Sequence, residues 1–174
     1  PEVKAALKES VNRILSISVV HEFLSQQDAE RIDVLEVTRN ILNLVAQNML
    51  PPDFQLERRF TGPDIILPSE QASNLALIVN ELILNSIEHA FAGRTHGLIG
   101  LAVSNTEAVY AFDLYDDGNG LPAGFDVCRS KSLGLQIVRT LIEGDMGGTF
   151  TLESDHGTHA RITLPRHKEE ETEA

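Results

Sequence analysis

Four polar residues recur on a helix that is otherwise apolar. In "NLALIVNELILNSIEHAF", Glu81, Asn85, Glu88 and His89 stand at i, i+4, i+7 and i+8, the spacing that stacks side chains on one helical face. A solvated stripe usually carries lysine or arginine, yet neither occurs between Arg59 and Arg94. A carboxylate and a carboxamide one turn apart, with no cation beside them, suit a pocket that takes its cation from outside. Mg²⁺ needs few protein oxygens when phosphate and water complete its shell, so Asn85 is a candidate ligand and Glu81 can reach the ion through a water. Three further stretches have the right residue types for a ligand. In "YDDGNGLP", Asp116 can accept from an exocyclic amine, while Gly118 and Gly120 let the backbone bend against a flat group. In "KSLGLQIV", Lys131, Ser132, Leu133, Gly134 and Leu135 stand at a helix start, where free N–H groups can meet phosphate. In "DHGTHARITLP", Gly157 and Thr158 lead into a terminal strand. Taken singly, the last three also read as an ordinary turn, an N-cap and a hairpin.

The elements that must position these residues follow from periodicity. Residues 2–26 read as a helix, apolar almost all round from Ile14 to Leu24, which asks for partners on more than one side. "QQDAERID" interrupts it. Asp33 is a suitable N-cap for a second helix, "VLEVTRNILNLVAQNM", which Pro51-Pro52 ends. A strand, "FQLERRF", precedes the long helix from about Ser69 to Phe91. "LIGLAVSN" and "AVYAFDLYDD" alternate as antiparallel strands. After the glycine-rich bend come the irregular "AGFDVCRSKS", a helix "LGLQIVRTLIEG", and the strands "GTFTLES" and "THARITLP". The pattern predicts an α+β fold: a two-layer sandwich whose mixed, mostly antiparallel sheet is covered by helices on one face, preceded by a helical dimerisation segment.

Composition narrows the function classes. A formal charge of −12 over 174 residues opposes a nucleic-acid or anionic-membrane surface, although a local site can still hold a nucleotide. The one cysteine, Cys128, excludes an internal disulfide and a cysteine zinc cluster, and suits a reducing compartment. No apolar run reaches membrane-spanning length, so no direct membrane contact is expected.

Four motifs in register (E-x-x-x-N on an apolar helix, D-x-G-x-G, x-L-G-L at a helix start, and G-T before a terminal strand) resemble the ATP-binding domain of the histidine kinase, gyrase, Hsp90 and MutL superfamily. The resemblance runs from about Asp33 to Pro165. "NELILNSIEHAF", "SLGLQIVRTLI" and "GTHARITLP" look like the sensor histidine kinases whose acceptor helix carries His-His-Arg-Val-Lys-Asn-Asn. It implies phosphoryl transfer from ATP with Mg²⁺. Glu81 would act as the general base or orienter, Asn85 would ligate Mg²⁺, and His89 would lie along the sugar and phosphates. Asp116 would bind the adenine amine, with Gly118 and Gly120 shaping the pocket. Leu133, Gly134 and Leu135 would meet the phosphates, with Ser132 at their helix start and Lys131 as a further phosphate partner. Thr158 would support Asp116 or a nearby water. Many members carry Lys where Glu88 stands and Gly where Ser132 stands. The lid loop that the resemblance implies, "LPAGFDVCRSK" at 121–131, is short, with Phe125 its only aromatic.

The expected organisation is a bundle helix (1–30), an ATP-binding domain (31–166) and a disordered acidic tail (167–174). The chain opens in a helical pattern and reads as a piece of a longer cytoplasmic protein, its acceptor helix lying upstream. It would dimerise through the bundle, serve a response regulator, and bind Mg-ATP without phosphorylating itself. His21 borders an apolar stripe and reads as a packing residue. An anti-sigma-type serine kinase and a non-catalytic ATP-binding dimerisation module are the alternatives.

Overall fold

The computed structural model describes residues 31–166, together with Leu7, Ser10, Val11, Ile14, Ile17, Ser18, His21, Glu22 and Ser25, all of them helical. The tail at 167–174 and the other residues before 31 lie outside the described residues. Leu7, Val11 and Ile14 are about half exposed or more and follow one another at four- and three-residue intervals. Among the described residues they form an exposed apolar stripe. His21, expected to pack, is exposed there too, with Ser25 Oγ donating to its carbonyl at 2.7 Å.

The first complete element is a three-residue strand, β1 (Arg31–Asp33), followed at once by helix α1 (Val34–Met49). Asp33 caps α1 as its sequence position predicts: it is extended at φ −76° and accepts from the Leu35 N–H at 2.9 Å. Val34, Val37, Thr38, Ile41, Leu42, Val45 and Ala46 are buried, a 3.6-residue stripe facing the core. Asp33→Ala should cost about 1 kcal/mol, the usual worth of an N-cap, measurable by chemical unfolding.

Strands β2 (Gln55–Thr61) and β3 (Ile66–Pro68) come next. β3 pairs antiparallel with β1, Ile32 opposite Leu67. That ribbon was not expected from sequence, because three residues are too few to show alternation. Helix α2 (Ser69–Asn85) passes into a wider, π-type turn over Ser86–Ala90, where the periodicity predicted an α-helix continuing to Phe91. β4 (His96–Asn105) and β5 (Val109–Asp116) form the expected hairpin, Leu101 opposite Leu114. Helix α3 (Leu133–Arg139) likewise widens over Thr140–Asp145 before β6 (Thr149–Ser154) and β7 (Thr158–Pro165).

The main sheet has the order β2-β4-β5-β7-β6, parallel between β2 and β4 and antiparallel elsewhere. Strand alternation decides its two faces. Phe112, Leu114 and Asp116 of β5 are buried, as are Ala160, Ile162 and Leu164 of β7. They meet α2 and α3 in one core with Ile78, Ile83, Ile99, Leu101, Val138 and Ile142. The α1 stripe shares that core. The other face is polar: His159 bonds Asp113 at 2.9 Å, Tyr115 stacks on His159, and Arg161 pairs with Glu153. Helices therefore cover one face, as predicted. Asp116 inherits its burial from the same two-residue period that buries Leu114.

Candidate functional site

Asp116 ends β5 on the helix-covered face and is only 2% exposed. A carboxylate there needs donors, and the chain supplies three. The N–H of Gly118 donates to Oδ1 at 2.9 Å and the N–H of Thr158 to the same oxygen at 3.1 Å. The Ser86 hydroxyl donates to Oδ2 at 2.8 Å. Burial raises the Asp116 pKa above the ordinary carboxylate value, with the neighbouring Asp117 pushing the same way, and the three hydrogen bonds oppose the shift.

The bend after β5 is clasped to the end of α2. Asn119 N–H donates to the Ala90 carbonyl at 2.9 Å, and Gly118 lies so close to Ala90 that a Cβ would overlap it. Asp117 accepts from the Leu98 N–H at 2.7 Å and pairs with Arg94. These contacts join the wide turn over 86–90 to the glycine-rich bend and hold Ser86 against Asp116. Gly120 adopts φ +72°, which glycine takes without the Cβ penalty.

Around Asp116 opens a cavity of about 440 Å³. The end of α2 and its wide turn contribute Leu82, Asn85, Ser86, His89 and Ala90. Leu114, Gly120, Leu121 and Pro122 line the β5 side. Phe125, Ser130, Ser132 and Leu135 come from the lid loop and α3, and Leu152, Thr158 and Ala160 from the last two strands. The volume suits a small organic ligand, and a mostly apolar wall with a few fixed polar groups is the usual construction of such a site.

The cavity gathers most of the residues read from sequence: Asn85, His89, Asp116, Gly120, Ser132, Leu135 and Thr158 all line it. Glu81 lies one turn before Asn85, 2% exposed and behind the wall rather than on it. Gly118 acts through its N–H on Asp116. Lys131 and Leu133 are exposed, Gly134 is buried, and none of the three is on the wall. Ser132 caps α3 with Oγ 3.5 Å from the Leu135 N–H. Ser86 was missed. Its place four residues after Leu82 and three before His89 keeps it on the cavity side of the helix, but nothing local pairs it with an aspartate on another strand.

The donor set fits a nucleotide with a divalent cation. Asp116 offers a buried acceptor to an amine, and Asn85 offers a half-buried carboxamide oxygen on the same wall. Among the described residues no group of three or more His, Cys, Asp or Glu side chains could hold a metal. A cation at Asn85 would take most of its ligands from phosphate and water, the habit of Mg²⁺.

Comparison with known proteins identifies the family. The sequence model of the histidine kinase-, DNA gyrase B- and HSP90-like ATPases matches residues 70–168, and a histidine kinase model matches residues 1–49. The sensor histidine kinase PdtaS of Mycobacterium tuberculosis is 34% identical over 167 residues, 94% of this chain and 33% of that protein. Blue-light-activated histidine kinase 2 of Erythrobacter litoralis is 32% identical over 101 residues, 57% of this chain and 29% of that protein. The chain thus spans about a third of the length of the curated relatives it matches. Among solved structures, the histidine kinase domain of the Erythrobacter litoralis EL346 blue-light activated histidine kinase superposes with a TM-score of 0.71. It is 23% identical, with 89% of this chain and 73% of that one covered. The ATP binding domain of PrrB from Mycobacterium tuberculosis gives 0.62 at 26% identity, with 82% and 100% covered. The match over residues 1–49 favours a histidine kinase over the serine-kinase alternative. The chain belongs to the histidine kinase-, DNA gyrase B- and HSP90-like ATPase family and, within it, to the histidine kinases.

Proposed function

We propose that this chain is the ATP-binding catalytic part of a two-component sensor histidine kinase. One observation carries the reading: a buried carboxylate, held by three donors, faces an apolar cavity that has Asn85 on the same wall. Asp116 Oδ2 accepts the adenine amine, and Leu82, Leu114, Leu135 and Leu152 enclose the base. His89 lies along the sugar and phosphates. Asn85 holds the cation, which, when bound, neutralises charge on the triphosphate. The N–H groups of Leu133, Gly134 and Leu135 at the start of α3 meet phosphate when the lid closes, with Lys131 carried by the same segment. Glu81, buried behind the wall one turn before Asn85, serves as an orienter and does not itself touch the attacking imidazole. In the whole protein the bond between the γ-phosphorus and the β–γ bridging oxygen breaks, a phosphorus–nitrogen bond forms at a histidine of the upstream helix, and ADP leaves. A response-regulator aspartate then receives the group.

The exposed stripe of Leu7, Val11 and Ile14 supports dimerisation through a helical bundle, where a second chain would cover it. No described helix is long and apolar enough to cross a membrane. ATP and response regulators are supplied in the cytoplasm, and a cytoplasmic location for this portion follows from that reading.

Calorimetric titration tests the reading. ATP should bind saturably and more tightly with Mg²⁺ than with EDTA. Asn85→Ala should keep the Mg²⁺-free affinity and lose the gain from Mg²⁺. A wild-type chain that is folded and takes up no ATP would refute the assignment.

A further inference from the structure

Ser86 connects two elements that are far apart in sequence. It sits 30 residues before Asp116, is buried, lines the cavity, and gives its hydroxyl proton to Oδ2. A carboxylate has about four lone-pair sites across its two oxygens. Gly118 and Thr158 occupy the two on Oδ1, and Ser86 occupies one on Oδ2. About one acceptor site is left, on the oxygen that Ser86 orients.

We propose that Ser86 is a positioning residue for base recognition: its hydroxyl holds Asp116 as a single, fixed acceptor and so selects a 6-amino purine over a 6-oxo purine. This rests on reading the cavity as an ATP site. A 6-oxo group presents lone pairs to the Asp116 lone pair and is rejected while Asp116 stays ionised. Burial opposes ionisation and Ser86 supports it, so loss of the hydroxyl favours the protonated acid. A protonated Asp116 is a donor, which a 6-oxo group accepts.

Charged and titratable groups on the elements packed around Asp116 are few among the described residues. Asp117 adjoins it and is paired with Arg94. Glu81, Glu88 and His89 lie on α2 and its wide turn. His159 of β7 engages Asp113 on the opposite face of the sheet. Of these, Asp117 raises the Asp116 pKa, and only a hydrogen-bond donor such as Ser86 can be removed without adding or deleting charge.

The test uses the chain with Ser86→Ala and Ser86→Thr, each checked for an unchanged thermal melt. First, the Asp116 side-chain ¹³C shift is titrated without nucleotide. Ser86→Ala should move its midpoint up by about one pH unit, the equivalent of one hydrogen bond to a carboxylate, and Ser86→Thr should return it toward wild type. Second, ATP and inosine triphosphate affinities are measured from pH 5 to 8. Ser86→Ala should reduce discrimination between them about ten-fold, most at the acid end. An unmoved midpoint overturns the proposal, whatever the nucleotides do. A moved midpoint with unchanged discrimination overturns the selectivity claim. Failure of the wild-type chain to bind ATP defeats the ATP reading instead, and the midpoint still decides the role of Ser86.

Discussion

Asp116→Asn should lower ATP affinity about 100-fold or more while leaving the fold intact. The substitution keeps the shape and reverses the polarity. The Gly118 and Thr158 N–H groups demand an acceptor, so the amide oxygen must take the place of Oδ1. The amide nitrogen then faces Ser86 and the cavity, presenting a donor where an amine needs an acceptor. Two facing donors in a desolvated pocket cost roughly 3 kcal/mol, or two powers of ten in affinity. Stability should move the other way with pH. Burial raises the folded-state pKa of Asp116 above the ordinary value near 3.9, so the unfolded chain loses this proton first as pH rises. Wild-type stability is therefore drained through the window from about pH 4 to the raised folded value, and the loss is complete above it. The amide that replaces the carboxyl in Asp116→Asn does not titrate. The stability of the variant relative to wild type should rise from pH 4 to 7, measured by urea unfolding at each pH. A difference independent of pH would show that Asp116 keeps an ordinary pKa. Unchanged ATP affinity would show that it does not read the base.

Gly157→Ala should destabilise the fold by about 3 kcal/mol or more and remove nucleotide binding with it. Gly157 has φ +135°, outside the range open to alanine without strain, and its missing Cβ would lie inside the backbone carbonyl of Asp116. Backbone cannot swing aside as a flexible side chain can. Any shift also displaces the Thr158 N–H from Asp116 Oδ1. Gly124→Ala is the control: φ is +74° and nothing lies within 4 Å of the added methyl, so only the left-handed backbone penalty of about 1–2 kcal/mol applies. Chemical unfolding of both variants separates overlap from backbone preference. Equal losses would mean that the approach of Gly157 to Asp116 is not what demands glycine.

The two variants probe opposite sides of one arrangement. In the proposed ATP site the burial of Asp116 would exclude water from the amine, and that burial is tolerated because donors from three segments converge on the carboxylate. A single substitution in any of those segments therefore reports on the same carboxylate.

Features that depend only on neighbours along the chain were legible without coordinates. α1 is read to the residue from 34 to 49, because Asp33 caps it, an apolar stripe runs through it, and Pro51-Pro52 stops it. Alternation marked β4 and β5 as an antiparallel pair. Glu81 and Asn85 share a helix, so their separation is set by the helical repeat. Contacts between elements were not legible. Ser86 meets Asp116 across 30 residues, and Thr158 reaches it across 42. Phe125, Leu121 and Leu152 became cavity walls only when the lid loop, and β6 through its pairing with β7, reached the same cavity. The ribbon of β1 with β3 is too short to leave a pattern, and the widening of α2 at Ser86 accompanies its contacts with a distant bend. Periodicity is a property of the chain and can be counted. Which side chains share a cavity depends on how elements pack, and no local spacing encodes that.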